Sequence, residues 1–312
     1  MKNLKKILAV VMAVAMIFAL SIPAFATGNI LSAATSFIPG SLYSQTAAPG
    51  DTVYLYATIV TDAYPSSLVG FSSQSDAAAN VSWTVTSGAS KVDSISASGI
   101  SFVYNDVTYY AAKLTVELDD NATPGMVVIN AAGQNGAPTN TDCNYVIMVE
   151  DSNATPTSAS NITVELYDLS SQSLIASLSG ATVDAACEIT NGKFNGSLGA
   201  AQTYATAANT VDYLLSDAEG RVTNVDTTYG YVSSMTVLDD FDDPIDYDES
   251  YDPISYQYIG WMYGVYRSNS YVSTSESVSA TAFELQNGDI VVWVYGTFAQ
   301  ATTFFSNYTP ST

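Results

Sequence analysis

The chain has 312 residues, 47% of them hydrophobic, with 22 Tyr and no His, and its 30 acidic residues against 8 basic ones give a formal charge of −22. So negative a surface repels phosphate backbones and anionic membranes, which excludes nucleic-acid binding, and so apolar a composition excludes global disorder. The length fits two domains, and a chain without His has no ordinary Ser-His-Asp or Cys-His catalytic arrangement.

Residues 1–26 read as a secretory signal. Lys2, Lys5 and Lys6 form a positive start, residues 7–20 are almost wholly apolar, and Ala24-Phe25-Ala26 places small residues where a signal peptidase reads. The alternative, an uncleaved membrane anchor, needs about twenty apolar residues, more than precede Ser21 and Pro23. No Cys follows the cleavage point, so a lipoprotein signal is not expected. The expectation is an exported chain of 286 residues with no membrane insertion after cleavage, secreted or held non-covalently at a cell surface. It would carry five basic residues against thirty acidic ones, a formal charge of −25. The two cysteines, Cys143 and Cys187, either bridge two domains or stay as buried thiols; neither a CxxC pair nor a metal-ligand spacing is present.

Residues 27–150 read as a β-sandwich. Segments 52–61, 81–86, 101–104, 110–118, 126–132 and 144–150 are rich in Val, Ile, Thr and Tyr, and Pro-Gly, Gly, Asn and Asp punctuate them at sandwich-like intervals. Val81-Ser-Trp-Thr-Val-Thr-Ser-Gly88 and the Pro124-Gly125 turn before Met126 resemble strands of the bacterial immunoglobulin-like modules of surface proteins. Such modules can carry a Lys–Asn cross-link, for which Lys113 and Asn130 are available. The alternation argues against it, because Ala112, Leu114, Val116 and Leu118 form the apolar face and leave Lys113 and Glu117 on the other.

A polar linker follows at 151–160, and the second domain, 161–312, opens on the alternating strand 161–167. Within 209–296, Asn209 is a candidate N-cap, and Val211, Leu214, Leu215 and Ala218 recur at helical spacing before a stop at Gly220. Then come Tyr229-Gly-Tyr-Val, Trp261-Met-Tyr-Gly-Val265, and a hairpin in which Leu285, Gly288-Asp289 and Trp293 follow in order. These motifs resemble the family of domains named after the C-terminal domain of transcobalamin. The resemblance covers roughly half the chain and implies a β-grasp-like fold, a mixed sheet with one helix on one face, and a ligand-binding scaffold with cobalamin or another corrinoid as the family-level ligand. Tyr266-Arg267 stands where that family has Asn-Gly, an acidic insert separates Met235 from Trp261, and the α-helical barrel of transcobalamin-type proteins is missing. The fold class expected for the whole chain is mainly β with one short helix.

Two candidate sites arise. In 290–295 the residues Ile290, Val292 and Val294 share one face, and Val291, Trp293 and Tyr295 the other. If the helix covers the aliphatic face through Leu214 and Leu215, then Trp293 and Tyr295, with Trp261, Tyr263, Tyr229 and Tyr231, build an aromatic platform for a corrin edge, a sugar ring or a partner surface. The alternative for each ring is plain core packing. The insert supplies Asp239, Asp240, Asp242, Asp243, Asp246, Asp248, Glu249 and Asp252. Asp246, Asp248 and Ser250 have the spacing that opens an EF-hand loop, and Asp252 adds a further carboxylate, so Ca²⁺ is one reading. However, Tyr251 and Gln257 occupy places that need Gly and Glu, and a solvated acidic loop is the other reading. Function then divides between a secreted, non-enzymatic ligand-capture protein and a structural or adhesive surface module that binds glycan or protein.

Overall fold

A computed structural model describes residues 29–34, 44–61, 67–139, 143–151, 153–185, 194–195, 203–216, 221–228, 231–239, 241–252, 257–276 and 278–310. The chain is mainly β and divides into two compact units between Ala154 and Thr155, inside the segment read as linker.

The first unit consists of two four-stranded sheets. One has the order β1 (Asn29–Ala34), β3 (Thr52–Thr61), β6 (Val107–Leu118), β5 (Val92–Tyr104); the other has β2 (Ser44–Ala47), β8 (Asn144–Val149), β7 (Gly125–Gly133), β4 (Val81–Ser87). With β1 and β2 as a split first strand, this is the ABED and CFG order of a constant-type immunoglobulin sandwich. The split shows in the pairing: β1 runs antiparallel to β3, whereas β2 crosses over and runs parallel to β8.

Alternation explains the sandwich. Val53 and Leu55 from β3, Leu114, Val116 and Leu118 from β6, and Val127, Ile129, Tyr145, Ile147 and Val149 from the facing sheet interlock in one buried cluster. Trp83 on β4 lies against that cluster and a second one containing Leu31, Ala57, Phe71, Ala77 and Cys143. Cys187 lies outside the described residues, and so does any pairing of it. Lys113 is on the outer face, its Nζ 3.8 Å from the centre of the Tyr54 ring, while Asn130 bonds Asn144 on the other sheet. The solvent-side placement of Lys113 is therefore as expected, with a π-face as its neighbour. A helix α1 (Gln74–Ala79), capped by Ser73, and a hairpin turn at Asn105-Asp106, where both φ angles are positive, were not expected.

The second unit carries a mixed sheet of order β10 (Ser173–Val183), β9 (Ala159–Asp168), β18 (Ile290–Thr297), β16 (Gln257–Arg267), β15 (Ser250–Asp252), with β17 (Ser270–Tyr271) also pairing β16. Its first and last long strands, β9 and β18, lie parallel at the centre, and the other pairs are antiparallel. That central parallel pair is what a β-grasp-like sheet requires. A further sheet, β11 (Phe194–Asn195), β12 (Val222–Thr228), β13 (Tyr231–Leu238), β14 (Pro244–Asp248), was not expected.

Among the described residues this unit has two α-helices rather than one. α2 (Thr210–Ser216) continues a 3₁₀ turn at Ala207–Asn209, so Thr206 is the cap and Asn209 answers it from within the helix, one turn away from the expected start. α3 (Phe298–Asn307) covers the aliphatic face of β18. Its Ala301 and Phe305 pack on Val292, Val294, Tyr266 and Leu169, with Phe304 and Tyr308 alongside. Gly264 admits the Phe305 ring, since a Cβ there would sit 2.8 Å from it.

Tyr145 tests the sandwich core. It is fully buried, its hydroxyl has no hydrogen-bond partner, and burial pushes the hydroxyl pKa far up. A buried unpaired hydroxyl costs about 1–3 kcal/mol, so Tyr145→Phe should leave stability unchanged or raise it. Urea unfolding checks this, and a clear drop in midpoint would show that the hydroxyl is bonded after all.

Candidate functional site: an aromatic row between two sheets

The register of β16 against β18 sets Trp261 opposite Tyr295 and Tyr263 opposite Trp293. Directly opposed residues share a face, so four of the expected platform residues form one row. The rings touch, at centroid distances of 5.3 Å for Trp261–Tyr295 and 5.6 Å for Tyr263–Trp293. Tyr231 begins β13 and is partly buried; Tyr229 lies outside the described residues.

The row is not an open platform. Trp293 is 3% exposed, and its Nε1 donates to Thr210 Oγ1 at 2.9 Å, which places the indole under α2. The expected assignment of faces is therefore reversed: α2 covers the aromatic face and α3 the aliphatic one. Both faces of β18 are apolar, so alternation separates them without saying which helix each one meets. Tyr263 donates to Val278 O at 2.5 Å and packs edge-on against Phe283.

The acidic insert covers the other end of the row. Residues 244–252 run through β14, in the four-stranded sheet, into β15, in the mixed sheet, so this stretch crosses from one sheet to the other. Three aromatic donors of the mixed sheet hold three consecutive residues of it. Trp261 Nε1 donates to Tyr247 O at 3.1 Å, Tyr295 to Asp248 O at 2.6 Å, and Tyr258 to the Glu249 carboxylate. The Tyr247 ring meets Trp261 and Tyr295 edge-on, at 5.8 and 5.1 Å. Neither Tyr247 nor Tyr258 was among the expected site residues. The signal for Tyr247 was the period-two pattern Ile245, Tyr247, Glu249, Tyr251.

The same pattern corrects the reading of the insert as a loop. Asp246 and Asp248 are two residues apart because they sit on one side of a strand, in register with Thr236 and Ser234. Asp246 Oδ1 accepts from the Thr236 hydroxyl at 2.7 Å, and Asp252 pairs in register with Gln257. An EF-hand loop curls its ligands around one ion, which an extended strand does not do. Among the described residues no three His, Cys, Asp or Glu side chains converge. The tip of the insert is a turn in which Asp239 Oδ1 accepts from the backbone N–H of Phe241 and Asp243.

Tyr258, Tyr263 and Tyr295 are donors, and the surroundings of the phenols around the row keep them protonated. Burial, then nearby carboxylates, raises Tyr295 and Tyr247; burial and the bond to Glu249 raise Tyr258; burial alone raises Tyr231 and is the main cause of the large rise at Tyr263. Such groups stay protonated at neutral pH and suit fixed hydrogen bonds rather than proton transfer.

The Tyr266-Arg267 step at the end of β16 has a physical reason. β16 continues through Tyr266 to Arg267, and the turn moves on to Ser268-Asn269, both with positive φ. Arg267 thereby lies one step beyond the Tyr266–Ile290 pair, next to Asp289. Its Nε and one terminal nitrogen donate to Oδ1 and Oδ2 of Asp289, each at 2.8 Å. Asp289 has no exposure and also accepts from Gln286 N at 2.8 Å. Sequence reasoning used Asp289 only as part of a turn and missed its partner.

Two outcomes follow. Arg267→Ala strands a buried carboxylate and should cost about 3 kcal/mol, the low end for halving a buried pair, because the arginine keeps part of its surface in water. Denaturant unfolding measures it, and a loss no larger than that of a surface substitution would show the pair to be incidental. The phenols give a pH prediction. Their folded pKa values are raised, so their contribution to stability is complete below the unfolded value of about 10 and is lost as pH climbs above it toward the folded values. Ultraviolet titration should therefore show these tyrosines ionising late, together with loss of β circular dichroism. Ionisation of all of them near the ordinary value in a folded chain would contradict the burial. Compared with known proteins, the chain matches no family model and no curated protein, so its function has to be argued from its own residues.

Proposed function

We propose that the protein is an exported, non-catalytic β module that acts structurally or adhesively at a cell surface and meets a glycan or protein partner through its outer surfaces. The observation that carries this reading is the engagement of the aromatic row by the chain itself. Trp261, Tyr295 and Tyr258 hold the acidic strand, Trp293 holds α2, and Tyr263 holds the loop at Val278. Trp293 is core, and the bonds made by the other rings draw chain over part of the flat face that a corrin edge would lie on. The absence of His removes one axial ligand for cobalt and the side chain best suited to proton transfer near neutral pH. The immunoglobulin-type sandwich and the strongly acidic composition, which favours solubility outside the cell, suit such a module.

Capture of a small, corrinoid-like ligand is the second reading, and one observation favours it. Tyr247, Trp261 and Tyr295 cluster at the end of the row with part of their surface open. Titration separates the two readings. Cobalamin added to roughly 50 µM should give no saturable quenching of tryptophan fluorescence, while the protein binds on a glycan or surface-protein array. Saturable quenching that Trp261→Ala removes and Trp83→Phe leaves unchanged would reverse the ranking.

A further inference from the structure

A β-sheet edge exposes a row of unpaired N–H and C=O groups, and soluble proteins blunt such rows with bulges, charges, proline or covering groups. The second unit treats its long edge strand β10 in this way. Its pairing with β9 is broken by three register shifts, Arg221 donates to Ile175 O at 2.9 Å, and the N–H of Thr182 donates to the Tyr213 hydroxyl at 3.1 Å.

The long edge strand of the first unit is treated differently. Among the described residues β5 ends its sheet, with β6 as its only neighbour there. Residues 93–98 are six consecutive exposed positions, so both sides of the strand are open, and Ile95 keeps 39% of its surface in water. From Ser94 to Ser98 the sequence is Ser-Ile-Ser-Ala-Ser, without charge or proline, in a chain with 30 acidic residues. The single register shift comes before it, between Val92 and Ser94. The pairing with β6 fixes the sides. Ser94, Ser96 and Ser98 stand opposite Glu117, Thr115 and Lys113 on the outer face, and Ile95 and Ala97 stand opposite the core residues Val116 and Leu114.

We propose that residues 94–98 of β5 pair antiparallel with the same residues of a second copy, joining the two sheets edge to edge about a two-fold axis at Ser96. The chemistry is self-complementary. In that register Ser94 meets Ser98 on the outer side, Ile95 meets Ala97 on the inner side, and each strand supplies the donors and acceptors that the other lacks. An isologous contact of this kind closes on itself and stops at two copies. It also solves a charge problem. Two chains this acidic repel, and β5 offers a contact in which Asp93 faces Gly99 rather than another carboxylate. Because the remaining repulsion is long-range, added salt strengthens the pairing, opposite to an interface built on ion pairs. Five residues a side bury less than a standard interface, so the association is weak and depends on concentration, which suits copies held close together. This inference goes beyond the surface-module reading and does not depend on it.

Sedimentation of the intact protein, up to roughly 1 mM and at low and high salt, tests it. The expected mass rises with concentration to twice that of a single chain and rises more steeply with salt. Ala97→Lys, an inward charge on the edge, and Ala97→Pro, which removes a donor that faces out of the sheet, should each return a single-chain mass with an unchanged melting transition. Ser177→Lys on the β10 edge should leave the association intact. A single-chain mass under every condition overturns the proposal, and so does a dimer that survives both β5 substitutions.

Discussion

The second unit depends on one carboxylate. Asp289 is the first residue before the central strand β18, and its two oxygens take the Arg267 fork and the N–H of Gln286. Its backbone carbonyl accepts from Thr163 N in the first half of β9, while Gly288 N donates to Ser160 O and Asn287 Oδ1 accepts from Ser160 N. The end of β16, the start of β9 and the turn into β18 are thus joined around one residue. Positive φ at Gly288 lets the turn bring them together. A strand slips by one residue only if all these bonds break at once, and a slip by one would exchange the two faces of β18. The aromatic row exists because this register is fixed. The composition makes the pair more telling, since the chain has 8 basic residues in all and puts one of them against a fully buried acid.

From that register the layering follows. Val291, Trp293 and Tyr295 must face together, as must Ile290, Val292 and Val294, and each set is apolar enough to require a cover. α2 closes one side with Thr210 on the indole, and α3 closes the other with Ala301 and Phe305. The acidic strand covers part of what α2 leaves open on the aromatic side. The acid-rich segment is therefore more than a solvated insert. Its carboxylates at Asp246 and Asp248 stay exposed, while the backbone between them bonds to the aromatic face and its Tyr247 ring packs there.

Much of the architecture was legible in the sequence, and what was missed has definite causes. The strand 52–61 was placed at its observed ends, and the inward residues of β6 were those its alternation named. Mainly-β composition, a sandwich and then a mixed sheet could be read because period-two burial is local. The choice of face was not, because a strand apolar on both sides does not say which helix it meets. That choice went wrong through one omission, α3. Its signal was present: Thr297 and Gln300 form a capping box, and Ala301, Phe304, Phe305 and Tyr308 recur at helical spacing. Phe and Thr, which are common in strands, hid it.

The acidic insert shows why spacing alone does not identify a cation site. Oxygen ligands at alternate positions open an EF-hand loop, and side chains at alternate positions also define one face of a strand. Asp246, Asp248 and Ser250 satisfy both patterns, so the pattern cannot decide between them. The sixth position decides, because the loop needs a glycine to reverse direction there and Tyr251 does not provide one. The residue between the acids decides in the same sense: Tyr247 lays its ring against Trp261 and Tyr295, as one side of a strand does, whereas a chelating loop has no such requirement. When two structures share a ligand spacing, the residues that do not ligate choose between them, and here they choose the strand that lies across the chain's own aromatic row.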